Sequence, residues 1–153
     1  MPLSIHFLLS FISCLGFGIL FSVQKENLVL SAVVGAIGWT MVIILQKPHI
    51  SYIFAHFLAG LTVGILSELF AIMRKTPATV FMVIGIIPLV PGFGVYKAML
   101  FFVNGNIDGG VAEGIHASFI AVALAVGIIL ATSSTRLVRK VLGSFRHRIR
   151  NRR

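Results

Sequence analysis

From Pro2 to Val23 the chain carries no Asp, Glu, Lys or Arg, and the first polar cluster is Gln24-Lys25-Glu26-Asn27. Apolar stretches then alternate with short polar punctuation. Leu28 to about Leu45 ends at Gln46-Lys47-Pro48-His49, Ile50 to Met73 ends at Arg74-Lys75-Thr76-Pro77, and Thr79 to Val103 ends at the glycine-rich run Asn104 to Gly114. A last apolar stretch, Ile115 to about Thr135, precedes a basic terminus. A helix rising 1.5 Å per residue needs about 20 apolar residues to span roughly 30 Å of hydrocarbon. The pattern therefore predicts an all-α integral membrane protein, a bundle of five transmembrane helices. A cleaved signal peptide competes for the first stretch, but it lacks a basic leader and is longer than a typical signal core, which favours a retained helix.

The fourth stretch differs from the others. Pro88-Leu89-Val90-Pro91-Gly92-Phe93-Gly94 places two prolines and two glycines within seven residues. Proline removes a helical N–H and glycine permits unusual backbone angles, so a broken helix is expected. Backbone groups freed at membrane depth are tolerated only where protein or a watery cavity satisfies them, and transporters present such groups to solutes near the midplane. A simple kink satisfied by neighbouring helices is the alternative. On the first reading Pro88, Pro91, Gly92, Gly94, Tyr96 and Lys97 line a substrate pathway. Lys97 reads equally as a pathway cation or as a lysine reaching toward the interface.

Composition agrees with the membrane reading. Of 153 residues, 58% are hydrophobic and 11% charged, with a mean hydropathy of +1.02, too little charge to cover a soluble globule. The net charge of +9 is uneven, since eight of the thirteen basic residues fall after Thr135: Arg136, Arg139, Lys140, Arg146, Arg148, Arg150, Arg152 and Arg153. These define a basic cytoplasmic tail, 136–153, following the membrane domain 1–135. With the tail inside, Lys25, Arg74 and Lys75 fall inside too, Lys47 outside and the N-terminus outside. A re-entrant fourth stretch would give four crossings and put Arg74 and Lys75 opposite the tail. A basic run beyond a membrane helix fits anionic lipid and does not point to nucleic acid.

Small residues recur every four positions as Ser10, Cys14, Gly18 and Ser22, as Ser31 and Gly35, and as Ala117, Ala121 and Ala125 beside Ala123, Gly127 and Ala131. Such ridges let helices approach in lipid. Cys14, the single cysteine, reads as one of these packing residues. His56, Gly60, Gly64 and Glu68 share one helix ridge, making Glu68 and His56 candidates for proton coupling. An ion pair of Glu68 with Arg74 or Lys75, and a satisfied packing role for His56, are the plainer readings. His116 opens the last apolar stretch near Asp108 and Glu113, and its plainer reading is part of a solvated outer loop. No nucleophile triad, paired carboxylates, metal-ligand spacing or phosphate-binding loop is present, so no catalytic residue, metal or cofactor is implied.

The runs Thr76-Pro77-Ala78-Thr79-Val80-Phe81 and Ile86-Ile87-Pro88-Leu89-Val90-Pro91-Gly92, followed by Tyr96 and Met99, resemble the threonine/serine exporter family. The likeness is to its C-terminal membrane domain, a separate small subunit in many bacteria. Gly35-Ala36-Ile37-Gly38 and Asn104-Gly105 extend it to nearly the whole chain before the tail. The resemblance implies a bacterial cytoplasmic-membrane exporter, not an enzyme, in which this chain joins a larger membrane subunit carrying the complementary domain. It implies threonine or serine as solute, or a dicarboxylate such as succinate in two-protein versions. The alternative is a structural or assembly subunit without a solute site of its own.

Overall fold

The structure, a computed structural model, describes residues 2–46 and 50–135 in full and the backbone of 136–150. Lys47, Pro48, His49 and the basic side chains of 136–153, with the expected contact to anionic lipid, lie outside the described residues. Six α-helices follow in order: α1 (Leu3–Leu20), α2 (Lys25–Leu45), α3 (Tyr52–Arg74), α4 (Thr79–Ile86), α5 (Gly92–Val103) and α6 (Ile107–Arg150). A 3-10 turn, Ile87–Leu89, joins α4 to α5. Among the described residues, α1, α2, α3 and the Ile107–Thr135 part of α6 are each long and apolar enough to cross a membrane. Residues Thr79–Leu89 and Gly92–Val103, bent by 45°, form a fifth span when taken together.

Contacts at the glycines fix how the helices run. Gly60 of α3 meets Leu124 of α6, and Gly64 meets Ile128 and Ala131, so α3 and α6 are parallel. Gly94 of α5 meets Ala117, and Gly110 meets Phe102, so α5 and α6 are antiparallel. Because α6 starts at the end of the bundle where α3 starts, the α4–α5 segment must carry the chain from one end to the other. That geometry makes a five-pass bundle with a bent fourth pass and excludes a segment that returns to its own side.

The ridges of small residues bury what they should in α1 and α2 and only partly in α6. Ser10, Cys14 and Gly18 are buried, with Leu28 packed on Gly18 and the Cys14 sulfur against Gly35. Ser22 leaves the ridge, taking φ +56° in the turn where the Val23 N–H returns to the Gly18 carbonyl at 2.9 Å. In α6 the buried stripe is Ala117, Ile120, Leu124, Gly127 and Ala131, while Ala121 and Ala125 are exposed. The expected ridge through Ala121 and Ala125 is thus corrected. Spacing of three and four alternately keeps residues on one face of a 3.6-residue helix, whereas strict fours drift off it.

Candidate functional site

The break in the fourth pass has its chemistry on view. Pro88 lies in the first positions of the 3-10 turn, and Pro91 sits just before α5 with ψ near +51°. Neither proline can donate, so the Ile84 and Ile87 carbonyls lose their ordinary α-helical donors. Ile84 is compensated: the Ile87 N–H turns back to it in 3-10 fashion, and the Cys14 thiol of α1 donates to the same carbonyl at 3.7 Å. Cys14 therefore does more than fill space. It helps hold a broken backbone, a role its sequence position gave no sign of.

Above the break opens a cavity of about 740 Å³. Pro88, Pro91, Gly92, Gly94 and Lys97 form one wall. Tyr52 and His56 of α3 face them, and Glu113, His116 and Ile120 of α6 complete the enclosure with Trp39 of α2. The floor lies near the middle of the bundle, because Leu89 of the 3-10 turn is packed over Gly38 and beside Val63, both near the centres of their helices.

The polar groups converge from three helices. Lys97 Nζ donates to Glu113 Oε1 at 2.7 Å, joining α5 to α6, with side-chain exposures of 43% and 27%. His56 is 1% exposed, and its Nδ1–H donates to the Tyr52 carbonyl at 2.9 Å. That bond selects the tautomer that leaves Nε2 as an acceptor. The Tyr52 ring stands edge-on to the imidazole with centroids 4.4 Å apart, which fixes its plane. A single cavity thus presents an ammonium, a carboxylate and an oriented imidazole.

Two sequence readings change here. Glu113 and His116 belong to α6, which begins at Ile107 and not at Ile115, so the run Asn104 to Gly114 is only briefly a loop. Asn106 starts the helix, its Oδ1 accepting from the Gly109 N–H at 2.9 Å, while Asp108 lies in the first turn. An Asn followed by an acidic residue is an N-terminal helix signal that the glycines obscured. Tyr96 is 60% exposed, leans on Phe93 with centroids 6.5 Å apart, and is not among the lining residues. Glu68 is also elsewhere: it is 5% exposed and twelve residues beyond His56, about 18 Å along α3 at 1.5 Å per residue. Among the described residues, no group of three His, Cys, Asp or Glu side chains could hold a metal ion.

Comparison with known proteins gives a consistent picture. The family described as "Threonine/Serine exporter, ThrE" matches residues 6–134. A "probable threonine/serine exporter" of Mycobacterium tuberculosis (strain ATCC 25618 / H37Rv) is 39% identical over 77 residues, which are 50% of this chain and 15% of that protein. An uncharacterized protein of Haemophilus influenzae (strain ATCC 51907 / DSM 11121 / KW20 / Rd) is 28% identical over 127 residues, covering 78% of this chain and 43% of the relative. The chain spans less than half the length of either curated relative. No solved structure matches it.

Proposed function

Since this chain belongs to the threonine/serine exporter family, we propose that it is one half of a membrane exporter and that its cavity takes a small zwitterionic amino acid. The observation that carries this reading is the Lys97–Glu113 ion pair at 2.7 Å in the wall of a cavity built on a broken helix. A solute with its own carboxylate and ammonium can replace that internal pair: the carboxylate goes to Lys97 and the ammonium to Glu113. Each charge exchanges one partner for another, so the desolvation cost of separating them is offset. A side-chain hydroxyl, as in threonine or serine, finds an acceptor at His56 Nε2. A dicarboxylate would face Glu113 with like charge, which disfavours it.

The larger subunit belongs to the same proposal. Both relatives extend well beyond the part this chain matches. Helix α5 buries Ala98 and packs on α6, leaving Phe93, Tyr96, Met99 and Val103 60% or more exposed. We assign that face to the partner, which accounts for the outward position of Tyr96 and Met99. The end bearing Lys25, Arg74, Lys75 and the tail is placed in the cytoplasm of the bacterial cell membrane, following the basic-residue rule.

Efflux of radiolabelled threonine and succinate from vesicles tests the reading. Threonine efflux is expected only with both subunits present, and with Lys97 and Glu113 intact. Efflux of succinate alone would replace the zwitterion assignment. Full transport by the larger subunit without this chain would reduce it to an assembly role.

A further inference from the structure

We propose that the cavity at Lys97 and a second cavity around Glu68 are the two vestibules of one passage, closed between them by Leu89 and Leu124. This rests on the export reading for its solute but not for its geometry. The second cavity measures about 500 Å³ and is lined by Glu68, Thr76, Thr79, Met82, Ile128 and Thr132. Its walls come from α3, the broken fourth pass and α6, all of which also line the first. It opens at the end of the bundle, by the turn from α3 to α4, and brings polar groups to that end. Glu68 is 5% exposed, and the Thr76 hydroxyl is buried without a hydrogen-bond partner among the described residues. A buried hydroxyl in that position calls for a water or a passing polar group to satisfy it.

The two cavities are stacked along the bundle. On α3 the ridge runs from His56 in the first to Glu68 in the second, about 18 Å apart. On α6 it runs from Ile120 to Ile128 and Thr132. Between them the bundle is sealed by fully or nearly fully buried apolar side chains. Leu124 lies on Gly60, and Leu89 lies on Gly38 next to Val63.

The two closing residues are held differently. Leu124 is on an α6 backbone pressed against α3, where a methyl at Gly60 would come within 2.5 Å of the Leu124 carbonyl oxygen. Leu89 is on the 3-10 turn, between two prolines that interrupt the hydrogen-bond ladder on both sides. A shift of that turn can lift Leu89 from Gly38 without parting α3 from α6. The 3-10 turn is therefore the moving element and the glycine seam the fixed one.

Single cysteines introduced beside the natural, buried Cys14 test this in the full complex, using a membrane-impermeant thiol reagent on intact cells and on inverted vesicles. Ala112→Cys in the first cavity and Thr132→Cys in the second are expected to react from opposite sides. Val63→Cys is expected to react from neither, and to lose that protection when Leu89→Ala is added. Labelling of Thr132→Cys from the same side as Ala112→Cys, or from neither side, would overturn the two-vestibule reading. Protection of Val63→Cys that survives Leu89→Ala, in protein still labelled at both ends, would remove Leu89 from the closure. Opposite-sided labelling in a complex that moves no solute would sink the export reading and leave the passage standing.

Discussion

Helix α6 packs against α3 along one line and against α5 along another, and both contacts are made with glycine and alanine. Along α3 the fit is backbone to backbone: a methyl at Gly127 would collide with the Phe57 carbonyl and lie 2.9 Å from the Leu61 nitrogen. Along α5 the glycines meet side chains and not backbone, loosely at Gly94 (3.2 Å from an added methyl to the Ala117 methyl) and Gly114 (3.9 Å to the Ala98 methyl), and closely only at Gly110, where an added methyl would lie 2.6 Å from the Phe102 ring. The α5 contact carries an ion pair between Lys97 and Glu113. In lipid, where burial of apolar groups gives helices little reason to associate, close approach supplies van der Waals attraction and rigidity. A charge pair supplies direction and can be exchanged. The tight seam is suited to be scaffold, and the loose one to be where the solute acts.

Substitutions can break that contrast. Lys97→Met is expected to lower apparent solute affinity roughly tenfold or more, since a hydrogen bond to a charged group is worth about 1.5–3 kcal/mol. Lys97→Arg should keep part of it. Measured as efflux against internal threonine at matched abundance, equal affinities for Lys97→Met and the natural chain would take Lys97 out of the site. The same variants should barely move the unfolding midpoint, because a pair this exposed contributes about 0–1 kcal/mol to stability.

Next in size is the seam itself. Gly127→Ala should destabilise by about 1–3 kcal/mol, the usual range for overpacking. Gly114→Ala, with room for its methyl, should be neutral or gain up to about 1 kcal/mol from helix propensity. Thermal unfolding in detergent compares them directly, and equal losses at both positions would dissolve the distinction between seams. The smallest effect is expected of Glu68→Gln. It should leave threonine affinity intact and flatten the dependence of efflux on an imposed pH gradient. An unchanged gradient dependence would end the proton-coupling role for Glu68.

The architecture was legible because bilayer thickness ties span length to sequence so directly, and the break was legible because Pro88 and Pro91 cannot donate. The ridge His56, Gly60, Gly64 and Glu68 was legible too, and all four positions are buried. What could not be read was the partner of Lys97. Glu113 is sixteen residues away, across a hairpin whose register depends on where α6 starts, and the glycines at 109, 110 and 114 suggested loop. Those glycines serve packing: Gly110 lies under the Phe102 ring and Gly114 against Ala98. Tyr52 and Trp39 were invisible for another reason. Each joins the cavity through tertiary contact alone, with no local pattern to mark it.

The ion pair has an electrical consequence. Moving one elementary charge across 100 mV of membrane potential is worth about 2.3 kcal/mol, so a site that gains net charge on loading feels the cell's voltage. Lys97 and Glu113 together carry none, and an amino acid zwitterion carries none. On the proposed zwitterion reading, loading the cavity exchanges one neutral pair for another and is thus an electroneutral step. Its occupancy should stay the same whether the membrane is energised or depolarised, leaving any voltage dependence of export to other charges in the complex.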